Sequence, residues 1–389
     1  METETKAISS FRSGVWERQY GYSSFLPELV NREWIVDDPV LQSLLSEADR
    51  KLGELNTYGA LVPDIDFFVQ MYAAKEATQS SRIEGTETEM TEALMEEMDI
   101  APERRDDWQE VQNYINAMRF AVDQLERLPL SSRLLCQTHA VLLQGVRGAH
   151  KLPGSFRTSQ NWIGGASLKD AAFVPPHHDH VQRLMGDLEN FLHNEYIHTP
   201  HLIRAGIAHY QFETIHPFLD GNGRLGRLLI TLYLVSNQLL TKPSLYLSEF
   251  INRNKGLYYD NLTVVRKKND LNQWLRFFLV GIADTADDAS STFQHILALK
   301  SEIETERIPL LGKRAALGMR FIKMLYRNPV VSAQQVAQTL QVATATANRL
   351  IDQFIQQGIL VEKTGFQRNR LFEFKAYLYL FDKKRAISS

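Results

Sequence analysis

Apolar positions along this chain recur mostly at three- and four-residue spacing. Phe67, Phe68, Met71, Tyr72 and Ala74, within 66–79, fit an amphipathic helix. Gly85 is placed to stop that helix. Helical periodicity also runs through Trp108 to Gln124, Val181 to Asn194, Leu202 to Phe212 and Leu271 to Ile282, and a short apolar, helix-forming run covers Leu228 to Val235. Thr199-Pro200 and Lys242-Pro243 act as breakers. Strand-like stretches are few. Asn161 to Ala166 and Val174-Pro175-Pro176 bracket turn signals and β-branched or aromatic residues, which reads as a short hairpin. Toward the C-terminus come helices at Leu317 to Tyr326, Ser332 to Leu340 and Ala345 to Gln357, the last ended by Gly358. Two strand-like runs follow, Leu360 to Lys363 and Leu371 to Phe374, with Gly365 to Arg370 as the tip between them. The pattern predicts a mainly α protein with no internal repeat.

Composition narrows the class. A length of 389 residues suggests two or three domains, and 23% charged with 44% hydrophobic residues is ordinary for a globular chain. The single cysteine, Cys136, excludes an intrachain disulfide and suits a reducing cytoplasm. The polar, acidic start Met1 to Thr5 is unlike a signal peptide, and no apolar run reaches membrane-spanning length. A net charge of −3 is not that of a chain built as a whole for nucleic acid, yet it hides an asymmetry. From Lys313 onward there are thirteen Lys/Arg against four acids.

The chemistry concentrates in His216-Pro217-Phe218-Leu219-Asp220-Gly221-Asn222-Gly223-Arg224-Leu225-Gly226-Arg227. The order reads as a loop opening into a helix, whose N-terminal amides, with Gly221 and Gly223, form an anion-binding nest. Asn222 offers an amide between the glycines. Arg224 and Arg227 are three apart, share a helix face, and suit a polyphosphate because each guanidinium can grip oxygens in a fork. Asp220 is a hard oxygen ligand suited to Mg²⁺. His216 can accept a proton at neutral pH. The Gly-Lys-Ser/Thr end of a P-loop is missing, so ordinary P-loop chemistry is not indicated. Upstream, Ser80 and Glu84 are four apart and project from one helix face, just before Gly85. His177-His178-Asp179-His180 reads as a surface helix start rather than a metal site, since adjacent residues rarely face one ion together.

The loop closely resembles that of the Fic family of nucleotidyltransferases, His-x-Phe-x-Asp/Glu-Gly-Asn-Gly-Arg-x-x-Arg, at every fixed position. The resemblance implies transfer of AMP from ATP to a Ser, Thr or Tyr hydroxyl of a protein, including this one. His216 is then the base and Asp220 the Mg²⁺ ligand. The nucleotide is bound by Gly221, Asn222, Gly223, Arg224, Leu225, Gly226 and Arg227, with Tyr258 on the adenine side, and Phe218 anchors the loop. Ser80, Glu84 and Gly85 match the family's inhibitory motif, so Glu84 is expected to pair with Arg227 and deny it to the γ-phosphate. In some relatives the same Glu positions water for AMP removal. The predicted hairpin resembles the family's flap, which aligns a target by strand addition, with Ile163 and Gly164 positioning it.

The expected organisation is an N-terminal helical region over 1–109 with the inhibitory helix at about 66–85. An all-helical Fic core with a short β-hairpin flap follows over 110–285, then a helical linker over 286–312 and a winged helix-turn-helix over 313–389. Arg349 is the only basic residue of the third C-terminal helix, while Arg368 and Arg370 sit on the wing. Dimerisation or protein contact is therefore favoured there over DNA binding, and a homodimer is compatible with the architecture. The alternative from another class is a nucleotide-sensing, DNA-binding transcriptional regulator.

Overall fold

Helices carry most of the chain, and the helical runs read from the sequence are all present. The structure, a computed structural model, describes residues 4–61, 65–145, 148, 150–365 and 370–381. Four short strands come first: β1 (Thr5–Ala7), β2 (Gly14–Arg18), β3 (Ser23–Pro27) and β4 (Glu33–Ile35). β1 pairs with β4 in parallel, and β2 with β3 as an antiparallel hairpin. The region 1–109 is thus not wholly helical as expected, because three- and five-residue strands are too short to leave a clear period in the sequence.

Helices α1 (Pro39–Leu61), α2 (Ile65–Ile83), α3 (Met90–Ala93), α4 (Arg105–Gln124) and α5 (Ser132–Leu142) follow. The central layer is α6 (Val181–His193), α7 (His201–Ile215) and α8 (Asn222–Ser236), then α9 (Ser248–Arg253), α10 (Lys255–Lys268) and the long α11 (Leu271–Glu302). Every residue of α7 after His201 is buried, so it reads as a core helix with no polar face. The helix α2 is similarly enclosed. Thirteen of its residues are buried, among them the small Ala73, Ala74, Ala77, Ser80 and Ser81, which let neighbouring helices approach. It is wrapped on several sides rather than amphipathic.

The C-terminal part holds α12 (Ala315–Arg327), β5 (Val330–Ser332), α13 (Ala333–Leu340), α14 (Thr344–Gln356), β6 (Val361–Glu362), β7 (Leu371–Glu373) and α15 (Lys375–Phe381). Its sheet order is β5-β7-β6. Ser332 caps α13 through a capping box with Gln335, a local reason for the helix to begin there. The predicted wing tip falls partly on 366–369, so Arg368 lies outside the described residues. The expected division at 285/286 falls inside α11, which runs unbroken toward the C-terminal part.

Candidate active site

The loop 216–227 is built by two left-handed turns between two core helices. His216 ends α7 at φ 50°, and Gly221 starts α8 at φ 74°. The second suits glycine; the first costs a non-glycine residue about 1–2 kcal/mol. Bonds from elsewhere in the chain fix the His216 turn. Buried Arg157 donates from Nε to the His216 carbonyl at 2.9 Å, and Asn161 Nδ2 donates to the same oxygen at 3.1 Å and to Phe218 O at 2.9 Å. Phe218 is fully buried and stacks on His139 with ring centroids 3.9 Å apart. His139 Nδ1 accepts from Gly154 N, so Nε2 carries the proton and donates to the Asp220 carbonyl at 2.9 Å. Neither His139 nor Arg157 stands out in the sequence, because each acts through long-range bonds to backbone.

Asn222 does a different job from the one expected of it. Its side chain accepts from Phe218 N and donates to Phe218 O, both at 2.8 Å. It pins the loop and is not a free donor for phosphate. Leu225 is fully buried in the core. Gly226 faces inward, where any side chain would collide with Glu213. Gly226 lies against Phe212 and Glu213 of α7, and the Leu225 side chain is enclosed in the core rather than presented to the nest. Tyr258 is also a core residue: it is 1% exposed and its hydroxyl bonds His209 Nε2 at 2.9 Å. The neighbouring Tyr259, 41% exposed, is the ring at the surface.

The structure brings together His216, Asp220, Gly221, Gly223, Arg224, Arg227, Ser80 and Glu84. Burial lowers the His216 pKa to about 3, helped by the charges of Arg157 and Arg266. The imidazole is therefore neutral at physiological pH, and its buried Nδ1 has no hydrogen-bond partner. Asp220 takes a bond from Gly221 N at 2.6 Å while its side chain stays 43% exposed. Arg224 is 5% exposed, with Glu110 at 3.6 Å and Asp220 at 3.7 Å, yet its Nε and Nη1 are buried without a hydrogen bond. An under-satisfied guanidinium beside a helix N-terminus is suited to an anion.

Arg227 is satisfied from outside the loop. Its Nε donates to Ser80 Oγ at 2.9 Å, and its Nη2 donates to Ser80 O at 3.0 Å and to Glu84 Oε1 at 2.7 Å. Gly85, at φ 105°, ends the turn that aims Glu84. Burial pushes the Glu84 carboxyl up, but Arg227 outweighs it and holds the group below its ordinary value. Glu84 also covers Gly223, where any side chain would collide with it. Beneath Arg227 lies Glu213, fully enclosed, with Oε1 unpartnered and its pKa raised to about 7 by burial.

At the predicted hairpin, Ile163 and Phe173 exchange a pair of backbone bonds as a single bridge rather than a ladder, with Gly164 at φ 68° in the turn. His177, His178 and Asp179 do bring ligand atoms within 4.8 Å of one another, counter to the expectation that neighbours would diverge, although Asp179 N already donates to His177 Nδ1. Among the described residues no helix is long and apolar enough to cross a membrane.

Residues 42–123 match the Fic/DOC family N-terminal domain, and residues 129–234 match the Fic/DOC family domain. The chain is 29% identical over 172 residues to a protein adenylyltransferase Fic of Drosophila erecta, an alignment covering 44% of this chain and 30% of that one. It is 28% identical over 193 residues to the corresponding protein of Aedes aegypti, covering 49% and 34%. It thus spans about a third of the length of the curated relatives it matches. A Fic family protein from Desulfovibrio desulfuricans shares the fold with a TM-score of 0.55 at 21% identity, over 87% of this chain and 97% of that one. A Fic domain containing signaling protein from Bacteroides thetaiotaomicron does so at 0.50 and 14%, over 66% and 97%. This mainly α chain carries the N-terminal domain and the Fic domain of the Fic/DOC family.

Proposed function

We propose that the chain is a protein adenylyltransferase that moves AMP from ATP to a Ser, Thr or Tyr hydroxyl of a protein, itself included, and that Glu84 restrains it. The observation that carries this reading is the convergence of a neutral imidazole, an amide nest and two buried guanidiniums, one of them occupied by Glu84. The names of the relatives from Drosophila erecta and Aedes aegypti support the reaction class.

In this reading the acceptor hydroxyl gives its proton to His216 as its oxygen bonds to the α-phosphorus. The bond from that phosphorus to the bridging oxygen breaks, and pyrophosphate leaves. Negative phosphate charge arriving beside His216 draws its pKa upward, toward a useful base. The α8 amides and Arg224 stabilise charge that builds on the phosphates. Arg227 joins them only when Glu84 leaves. Asp220, a partly exposed carboxylate beside the nest, would hold Mg²⁺, which when bound neutralises phosphate charge. The helix–strand–helix–helix–strand–strand order of 315–373 supports a winged-helix reading of the C-terminal part.

The test is intact mass after incubation with ATP and Mg²⁺. Glu84→Gly should gain the mass of one or more AMP groups at least about tenfold faster than wild type. Adding His216→Ala should cut that rate by about 10²–10⁴, the usual worth of a positioned base. Equal rates for wild type and Glu84→Gly would remove the restraint, and no AMP on any form would remove the reaction.

A further inference from the structure

Gly223 and Gly226 stand three apart and bare one face of α8. A carboxyl group fills the space over each. Glu84 lies over Gly223 and Glu213 over Gly226, so close that any side chain on either glycine would collide with its carboxyl. The two acids come from different elements: Glu84 follows the end of α2, and Glu213 lies on α7, three residues before His216. Arg227 belongs to the same face. Its Nη1 lies against Gly223, and its Nη2 donates to Glu84 Oε1 at 2.7 Å.

The inner carboxyl is left over. Glu213 Oε1 is buried without a hydrogen-bond partner. Arg266 of α10 gives Nε to Thr214 Oγ1 at 3.3 Å and Nη2 to the backbone oxygen of Glu213 at 3.5 Å, and reaches the carboxyl only through space. Also on α10, Tyr258 bonds His209, and the Tyr259 hydroxyl, pushed up to about 12 by burial, is neutral. Glu76, the other buried acid that senses Arg227, is held by Tyr114 Oη, Ser248 Oγ and Ser248 N. Burial pushes the Glu213 carboxyl up to about 7, while Arg227 pulls it back and Glu84 pushes it further.

One guanidinium therefore faces two carboxyl groups, and the charge on one makes the other harder to ionise. When Glu84 leaves, the Arg227 side chain, 1% exposed, keeps only the neutral Ser80 as a bonded partner. A buried cation without a counter-charge is costly, and the negative charge that opposed ionisation of Glu213 has gone. Glu213 then gives up its proton in place. A γ-phosphate arriving at Arg227 brings negative charge back, and the carboxyl recovers a proton from solvent.

We infer that Glu213 is the inner partner of Arg227, a positioning residue that holds the guanidinium by charge while Glu84 is away and yields it to phosphate by taking up a proton. The inference rests on the adenylyltransferase reading and adds how Arg227 passes from carboxylate to nucleotide.

The experiment is calorimetric titration of ATP with Mg²⁺ into the full chain carrying Glu84→Gly and His216→Ala. This parent lacks the proposed base, so it binds without turnover and has no imidazole at that position to take up protons. Two buffers of different ionisation enthalpy report the protons exchanged. The parent should take up at least about 0.3 proton per ATP near pH 7, and its ATP affinity should fall at least about threefold from pH 6 to pH 8. Adding Glu213→Gln should remove most of that uptake, flatten the pH dependence and leave ATP bound more tightly than by the parent at pH 8. Glu213→Asp, which keeps the charge, should keep the uptake. No uptake by the parent would overturn the inference whatever the variants do. So would equal uptake in the parent and Glu213→Gln, or weaker binding by Glu213→Gln at every pH with the slope unchanged, the mark of a merely structural side chain. Uptake that depends on Glu213, with no AMP transfer by the Glu84→Gly protein, would remove the reaction and leave this role in nucleotide binding standing.

Discussion

The N-terminal half of α2 is held by rings, and its C-terminal end by charges. Phe68 meets Tyr326 at 6.1 Å and Tyr377 at 6.2 Å, Tyr72 meets Phe293 at 5.3 Å and Phe381 at 5.2 Å, and Arg327 lies 4.0 Å over Phe67. These contacts tie the helix to α11 and to the C-terminal part. At the other end, Arg227 grips Ser80 and Glu84, Lys255 Nζ donates to Ile83 O at 2.7 Å, and Asn252 donates to Gln79 at 2.9 Å. Apolar contacts have no competitor in water or in ATP, so the first end is permanent. A carboxylate on a guanidinium does have one, since a phosphate offers the same oxygens with more charge. One helix thus carries, about 20 Å apart given ~1.5 Å of rise per residue, a ring-held anchor and a charged contact that the proposed function makes a releasable latch.

The largest effect should come from cutting the anchor. Phe68 is fully buried, and Phe68→Ala should cost about 3–5 kcal/mol of stability, read as a fall in the urea midpoint. AMP transfer by the molecules that remain folded should stay within about twofold of wild type, because the latch bonds are local. A large rise in transfer would break the comparison and make the C-terminal part a controller of the latch.

Acidity should separate the ends next. Glu213, under Arg227, has a folded pKa raised from 4.5 to about 7. A carboxyl raised in this way favours the folded state below its unfolded pKa, and that contribution fades as pH climbs from about 4.5 through 7. Glu84 is shifted the other way, so its contribution is present above about 4.5 and is lost as pH falls through its folded pKa. Across pH 4.5–7, urea midpoints should therefore decline less steeply in Glu213→Gln than in wild type. Parallel curves for the two proteins would show that Glu213 is not the group responsible. The ring-held end contributes no such slope.

The same contrast explains what the sequence made legible. The anchor's helix and the core helices were readable because buried apolar residues repeat with the helical period. That Ser80, Glu84, Asp220, Arg224 and Arg227 lie together was readable because the loop 216–227 and the segment 80–85 are short and local. Arg157 and His139 were not, because they act on carbonyls dozens of residues away and look like ordinary polar positions. Asn222 and Tyr258 were misjudged for a related reason. A side chain's type announces that it can bond a ligand, but only the fold shows that Phe218 or His209 already holds it. The hairpin β2–β3 left too short a period to register.

The smallest effect, and the sharpest probe of the latch, is at Ser80. Its hydroxyl takes Arg227 Nε, while its backbone oxygen and Glu84 take Nη2. Ser80→Ala removes one of three bonds and leaves the carboxylate in place. A hydrogen bond to a charged group is worth roughly 1.5–3 kcal/mol, but Arg227 can turn toward phosphate and recover part of it. AMP transfer, followed by intact mass at low ATP, should therefore rise about two- to tenfold in Ser80→Ala, below the rise in Glu84→Gly, and the gap should close as ATP is raised. That dependence on ATP separates a latch from a merely loosened helix, which would alter transfer equally at every ATP concentration. A rise in Ser80→Ala equal to that of Glu84→Gly would mean that the serine, and not the carboxylate, holds the arginine away from the nucleotide.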